Sequence, residues 1–251
     1  MRGTVYLVGA GPGAADLLTL RAARLLGEAD IVFHDALVPA AILTLAARAA
    51  KVAVGKRCGR HSTAQRFINK QLADAARKYA VVVRLKGGDP MLFARAHEEL
   101  SYLRAYGVRV EVVPGVTAAL AAAAEMGVSL TRRGAARSVT FVTPRQGAGE
   151  APNDWLRAVL AADTSVVYMG AGDAAAIAQA LLGAGKSAST PVAIVENASL
   201  EAAQMHRGTL AELPALAARL GGGPALIMLG EVLSEAVSAA ARATARKAQA
   251  R

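Results

Sequence analysis

Three glycine-bearing turns carry most of the chemistry that can be read from the chain. The first, Gly9-Ala10-Gly11-Pro12-Gly13-Ala14, follows the apolar run Thr4 to Val8 and leads toward a helix expected to begin near Asp16 and Leu17. Glycines so spaced let a ligand approach bare backbone, and with Ala14 as the third small residue the segment meets the loose form of the dinucleotide-binding pattern. Asp35 closes the next apolar run, where an acid could accept from a ribose hydroxyl. Against a pyrophosphate stands Pro12, which removes one N–H from the loop and stiffens it. The motif alone leaves open a dinucleotide, another adenosine-bearing cofactor, or a tight turn without a ligand.

The second turn is Arg84-Leu85-Lys86-Gly87-Gly88-Asp89-Pro90, again at the end of an apolar run. Its paired glycines expose backbone, Asp89 can accept from an amine or hydroxyl, and Pro90 sets the exit from the turn. The third is Val113-Pro114-Gly115-Val116-Thr117-Ala118-Ala119, in which Thr117 can cap a helix or, with neighbouring N–H groups, meet a carboxylate. Between the first two lies Val54-Gly55-Lys56-Arg57-Cys58-Gly59-Arg60-His61, three cations on a glycine-flanked loop suited to gripping an anion. Arg95, Arg132, Arg133 and Arg137 add further cations. His34, His61 and His97 have no metal-ligand spacing, and no Ser-His-Asp or Cys-His arrangement stands out, so no metal site is expected.

Elements that would position these turns are legible from periodicity. Thr4 to Val8, Ile31 to Phe33, Val52 to Val54, Val81 to Leu85 and Val108 to Val113 read as strands, as do Val139 to Val142, Ser165 to Met169, Val192 to Val195 and Ala225 to Leu229. They alternate with helix-length segments, and continuous apolar strands argue for parallel sheets covered on both faces. The expected fold class is α/β, with two α/β lobes of mainly parallel sheets over 1–115 and 116–235 and a basic Ala-rich tail over 236–251. Gly147, Gly149 and Pro152 mark a loop inside the second lobe.

Composition narrows the setting. Of 251 residues, 54% are hydrophobic, enough for a packed core. Cys58 stands alone, which excludes an intrachain disulfide, and the N-terminal apolar run is too short for a secretory signal; both fit a cytoplasmic protein. The most apolar stretch, Val116 to Ala124, ends at Glu125, well short of the roughly 18 residues that would span a membrane. The formal charge is +10, but Arg242, Arg246, Lys247 and Arg251 belong to the tail, which reads as a solvated helix end. Cations held by glycine turns are more useful for carboxylates than for solubility, while the total charge by itself admits a nucleic acid, an anionic membrane or a polyanionic metabolite.

The motifs occur in an order that resembles the tetrapyrrole methylases, and within them the uroporphyrinogen-III C-methyltransferases. The resemblance runs from Val5 to about Val232 through VYLVGAGPGAADLLTLRA, VGKRCGRHSTAQRFIN, VVRLKGGDP, VVPGVTAA, SVTFVT, VVYMG, TPVAIVENAS and PALIMLGEV. It implies two α/β lobes with S-adenosyl-L-methionine in the cleft between them as methyl donor, S-adenosyl-L-homocysteine as product, no metal, and a homodimer. It further implies cofactor contacts at Pro12, Gly87, Gly88, Asp89, Leu92, Thr117, Ala118, Met169, Ala198 and Ala225. Met169 could instead be a core residue. The resemblance also implies a polycarboxylate tetrapyrrole facing Arg95, Glu98 and Arg133, with Asp35 as base, Lys56 as acid and Glu98 as a competing base; such a substrate explains the cations better than RNA, so no nucleic-acid partner is expected.

The implied reaction is methylation of uroporphyrinogen III at carbons 2 and 7, giving precorrin-2. This chain departs from the family at His34 and Ala36, at Ala94-Arg95-Ala96-His97-Glu98-Glu99, at Arg132 and at Pro144-Arg145. Alternatives are a sister methylase acting on a later precorrin or on RNA, a nicotinamide-dependent oxidoreductase built on the first turn, and a catalytically silent binding protein.

Overall fold

The computed structural model describes residues 3–54, 65–147, 151 and 153–235. The chain divides into two compact units, Met1–Ala118 and Ala119–Arg251.

In the first unit, strands β1 (Thr4–Gly9), β2 (Ile31–His34), β3 (Ala50–Ala53), β4 (Val81–Lys86) and β5 (Arg109–Val113) form one sheet in the order β3-β2-β4-β1-β5. Every ladder in it is parallel. All five strands therefore end on the same edge, where the expected turns lie. Helices cover both faces, as the apolar runs require. Val5, Leu7 and Val82 pack with Ile68 and Leu72 of α3 (Gln65–Ala75) and Leu100 and Leu103 of α4 (Ala96–Ala105). Val8, Val83 and Leu85 pack on the opposite face with Leu25 and Leu26 of α1 (Leu20–Glu28) and Ile42 of the short α2 (Ala40–Leu43).

Helix α5 (Ala118–Met126) starts on the last residue of the first unit and otherwise belongs to the second. Its sheet has the order β6-β7-β10-β8-β9, built from β6 (Val139–Val142), β7 (Thr164–Tyr168), β8 (Pro191–Glu196), β9 (Gln204–Thr209) and β10 (Ala225–Gly230). The β6–β7 ladder is parallel, whereas β10 runs antiparallel to both β7 and β8, and β9 antiparallel to β8. Parallel ladders still predominate among the described residues, as expected, but this sheet is mixed. Burial of Leu226, Ile227, Met228 and Leu229 shows why direction was not legible: an apolar run reports two covered faces, not orientation. The strand Gln204–Thr209 was not expected at all. Its sequence QMHRGT has no apolar run because it is an edge strand, reached from β8 by a connection too short for a parallel crossover.

Against one face of this sheet lie α6 (Trp155–Ala161), α7 (Ala174–Gly183) and α8 (Leu213–Ala217), which bury Val159, Ile177, Leu181, Leu213 and Leu216 with Val167, Ile194 and Ile227. No described helix is long and apolar enough to cross a membrane.

Candidate active site

The three glycine turns meet at the carboxyl edge of the first sheet because β4, β1 and β5 are neighbours there. Gly11 and Gly88 form an antiparallel bridge, with Gly88 N–H donating to Gly11 O at 2.7 Å and Gly11 N–H to Gly88 O at 3.2 Å. Both glycines have positive φ, 70° and 66°. A Cβ on Gly115 would stand 2.4 Å from Gly88 O and 2.8 Å from Gly9 Cα, so the third turn is pressed onto the other two through bare backbone. Asp89 locks the junction: Oδ2 accepts from Gly115 N–H at 2.9 Å and Oδ1 from Met91 N–H at 2.7 Å.

This geometry corrects the expectation of a helix starting near Asp16 and Leu17. A single 3-10 turn occupies Ala15–Leu17, Leu18 and Thr19 are extended, and α1 begins at Leu20 with Thr19 capping Ala22 N–H at 3.1 Å. With the Gly11 N–H committed to Gly88 and no helix N-terminus entering the loop, the pyrophosphate cradle of a dinucleotide site is missing.

The second turn is open on one side. A Cβ at Gly88 would meet nothing within 4 Å, and one at Gly87 only Leu37 Cβ at 3.6 Å. Leu37 is exposed beside Gly87, as are Met91 and Phe93 just along the chain, and Phe93 and Arg95 both adopt positive φ although neither is glycine. Such conformations cost energy and persist where surrounding structure enforces them.

In the second unit, a second edge gathers Met169, Ala198 and Ala225. Tyr168 pairs with Leu226 and Glu196 with Ala225, so the ends of β7 and β8 and the start of β10 coincide. Met169 has φ 56° and is 43% exposed, which sets aside the core-packing alternative for it. Ala198 is buried between Asn197 and Ser199, both at positive φ. Their loop is tethered by Asn197 N–H to Pro224 O at 2.9 Å and by Ser199 N–H to Glu125 Oε1 at 2.7 Å. Arg133 lines an open depression of about 430 Å³ with Thr131, Arg132, Ala136 and Arg137.

The family model for tetrapyrrole (corrin/porphyrin) methylases matches residues 4–214. The chain belongs to this family. A siroheme synthase from Chromobacterium violaceum is 49% identical over 92% of this chain, which covers 50% of that relative. The chain thus spans about half the length of the curated relatives it matches. Among solved structures, the uroporphyrin-III C-methyl transferase from Thermus thermophilus complexed with S-adenosyl homocysteine is 43% identical, with a TM-score of 0.81 over 92% of this chain and 99% of that one. A cobalt precorrin-4 methyltransferase is 28% identical, with a TM-score of 0.78 over 92% of this chain and 95% of that one.

For a tetrapyrrole methylase, the residues expected from motif order fall in two sets. Pro12, Gly87, Gly88, Asp89, Leu92 and Thr117 belong to the turns and flanking segments at the first sheet's carboxyl edge, with Ala118 at the start of α5. Met169, Ala198 and Ala225 share the edge of the second sheet. Asp35 follows β2 and accepts from Arg84 Nη2 at 2.5 Å. Arg95 and Glu98 grip one another through a two-bond fork at 2.6 and 2.8 Å, and this hydrogen bonding from Arg95 holds the Glu98 carboxyl below its ordinary value. Lys56, with the rest of Gly55 to His61, lies outside the described residues, as do Gly149, Pro152 and residues 236–251. Among the described residues no cluster of three or more His, Cys, Asp or Glu could hold a metal ion.

Sequence reading missed Arg84, Lys86 and Glu99 as site residues. Arg84 and Lys86 are buried, and Glu99 is fully buried between them. Burial, and then the charge of Arg84, push the Lys86 ammonium below its ordinary value. The available signal was two cations alternating with apolar residues on a strand otherwise fit for a core, which demands a buried acid elsewhere.

Proposed function

We propose that this chain transfers methyl groups from S-adenosyl-L-methionine to carbons 2 and 7 of uroporphyrinogen III, giving precorrin-2. The observation that carries the reading is the convergence of three glycine turns, open at Gly88, in a chain 43% identical over almost its whole length to a uroporphyrin-III C-methyl transferase complexed with S-adenosyl homocysteine.

Gly87 and Gly88 offer uncovered backbone on which the adenosyl group can lie, and the motif order assigns Met169 and Ala198 to the same ligand. Bound S-adenosyl-L-methionine supplies an electrophilic methyl, which an electron-rich pyrrole carbon takes while the carbon–sulfur bonding pair stays with sulfur. The macrocycle then loses a proton to Asp35, a half-buried carboxylate oriented by Arg84. Glu98 is the competing base, its basicity lowered because Arg95 stabilises its ionised form. Arg95 and Arg133 pair with substrate carboxylates, for which guanidinium forks are suited, and Lys56 serves as the acid. Holding donor and acceptor in line can contribute roughly 7 to 11 kcal/mol to such a reaction. The working protein is a cytoplasmic homodimer in this reading, and the likeness to siroheme synthases supports a product that feeds sirohaem.

Incubation of the purified chain with both substrates and mass analysis of the tetrapyrrole tests the proposal: a dimethylated product is expected, and an unchanged macrocycle would overturn it. A thermal-shift series separates the oxidoreductase alternative. S-adenosylhomocysteine at 100 times its Kd should stabilise the fold by about 2.7 kcal/mol, and NAD should have no effect.

A further inference from the structure

Val82, Arg84 and Lys86 alternate along β4 and share the sheet face that packs on α3 and α4. Two cations there require a counter-charge, since an unpaired buried charge is strongly destabilising. Glu99, in the first turn of α4, provides it: Oε1 accepts from Arg84 Nε at 3.1 Å and Oε2 from Lys86 Nζ at 2.9 Å. Gln65 Nε2 also donates to Oε1 at 3.1 Å and to Asn69 Oδ1 at 2.9 Å. Arg84 spends its remaining nitrogens on Leu85 O at 3.2 Å and Asp35 Oδ1 at 2.5 Å. Two cations and two anions form a closed set, and only Asp35 reaches the surface, its side chain 27% exposed against 4% or less for the other three.

A core purpose alone does not account for this set. Buried ion pairs hold a fold no better than apolar side chains of similar volume, and Val81, Val82, Val83 and Leu85 show that the strand accommodates such residues. What the charged set adds is a fixed direction for its outermost member.

We propose that Glu99 is a positioning residue for Asp35: by anchoring Arg84 at Nε it sets where Arg84 Nη2 presents itself, and Lys86 holds Glu99 in register. The inference rests on the reading of Asp35 as the proton acceptor. Glu99 touches neither substrate nor cofactor and acts only through Arg84.

The test is a cycle of variants assayed for methyl transfer and for S-adenosylhomocysteine affinity. Glu99→Gln should lower kcat by about 10- to 100-fold, the scale of a misplaced reacting group, with the Kd for S-adenosylhomocysteine within about twofold of the parent. Glu99→Asp should recover part of that loss. In an Asp35→Asn background Glu99→Gln should add less than about twofold, because residues acting as one unit are non-additive. Should Glu99→Gln fail to fold, Glu99→Gln combined with Lys86→Met removes one charge of each sign and carries the same expectations. A full-sized loss in the Asp35→Asn background, or an undiminished kcat in a folded variant, would overturn the proposal. If the unmodified chain transfers no methyl group to uroporphyrinogen III, the functional reading fails instead. The Asp35 carboxyl carbon resonance, identified by its loss in Asp35→Asn, then decides the positioning claim. A resonance moved by Glu99→Gln supports it and an unmoved one overturns it.

Discussion

The hydroxyl of Tyr168 accepts a hydrogen bond from the Ala119 N–H at 3.1 Å, so the last residue of β7 satisfies an orphan donor in the first turn of α5. Phe141 packs edge-on against the same ring, centroids 6.0 Å apart, which fixes its direction. Met169 follows immediately in its positive-φ conformation. The residue expected to meet the cofactor thus sits beside one that ties sheet to helix.

Removing that hydroxyl tests the tie. Tyr168→Phe should destabilise the fold by about 1 kcal/mol, read as a lower urea midpoint with an unchanged m value. The Kd for S-adenosylhomocysteine should rise with it if Met169 depends on the strand end for its place.

Gly88 and Gly115 should separate binding from folding. Gly88→Ala puts a methyl into open space at φ 66°, costing about 1–2 kcal/mol of backbone strain, and its main effect should be weakened S-adenosylhomocysteine binding by calorimetry. Gly115→Ala drives a Cβ to 2.4 Å from Gly88 O, so the turns must part. We expect a loss of about 3 kcal/mol or more, seen as poor soluble yield or a much lower Tm.

Lys86 should leave a mark on alkaline stability. Its folded pKa is lowered below the ordinary 10.5 by burial, so between the two values the unfolded chain binds more proton. Stability from this group therefore rises with pH through that window, is complete above the unfolded value, and is lost as pH falls through the folded one. Lys86→Met should flatten the rise, measured by denaturant titrations at a series of alkaline pH values.

Arg133 should affect the tetrapyrrole and not the cofactor. Arg133→Ala should raise KM for uroporphyrinogen III by about 10- to 100-fold, the loss of one charge-assisted contact, with S-adenosylhomocysteine affinity unchanged. An equal loss for both ligands would place Arg133 elsewhere in the mechanism.

Much of this was legible in one dimension. Apolar runs such as Thr4 to Val8 and Val81 to Leu85 report two covered faces, and glycine clusters after them report turns. The ordered motifs added the family. Local pattern also misled. The first turn promised a helix near Asp16 and left a phosphate loop open, whereas the N–H of Gly11 is committed by Gly88, a partner far along the chain that local pattern does not show. The polar strand Gln204–Thr209 gave no signal, since an edge position asks for no apolar run.

By itself, the order of residues determined the α/β class, the positions of the buried strands, the three turns and membership of a methylase family, all of which depend on neighbours within a few positions. Only the tertiary structure decided strand direction in the second sheet, the bridge from Gly11 to Gly88, the cap from Tyr168 to Ala119 and the closure of Arg84 and Lys86 on Glu99. These are pairings between distant segments. A buried cation announces that a partner must exist, but which acid arrives is settled by the packing of α4 on β4.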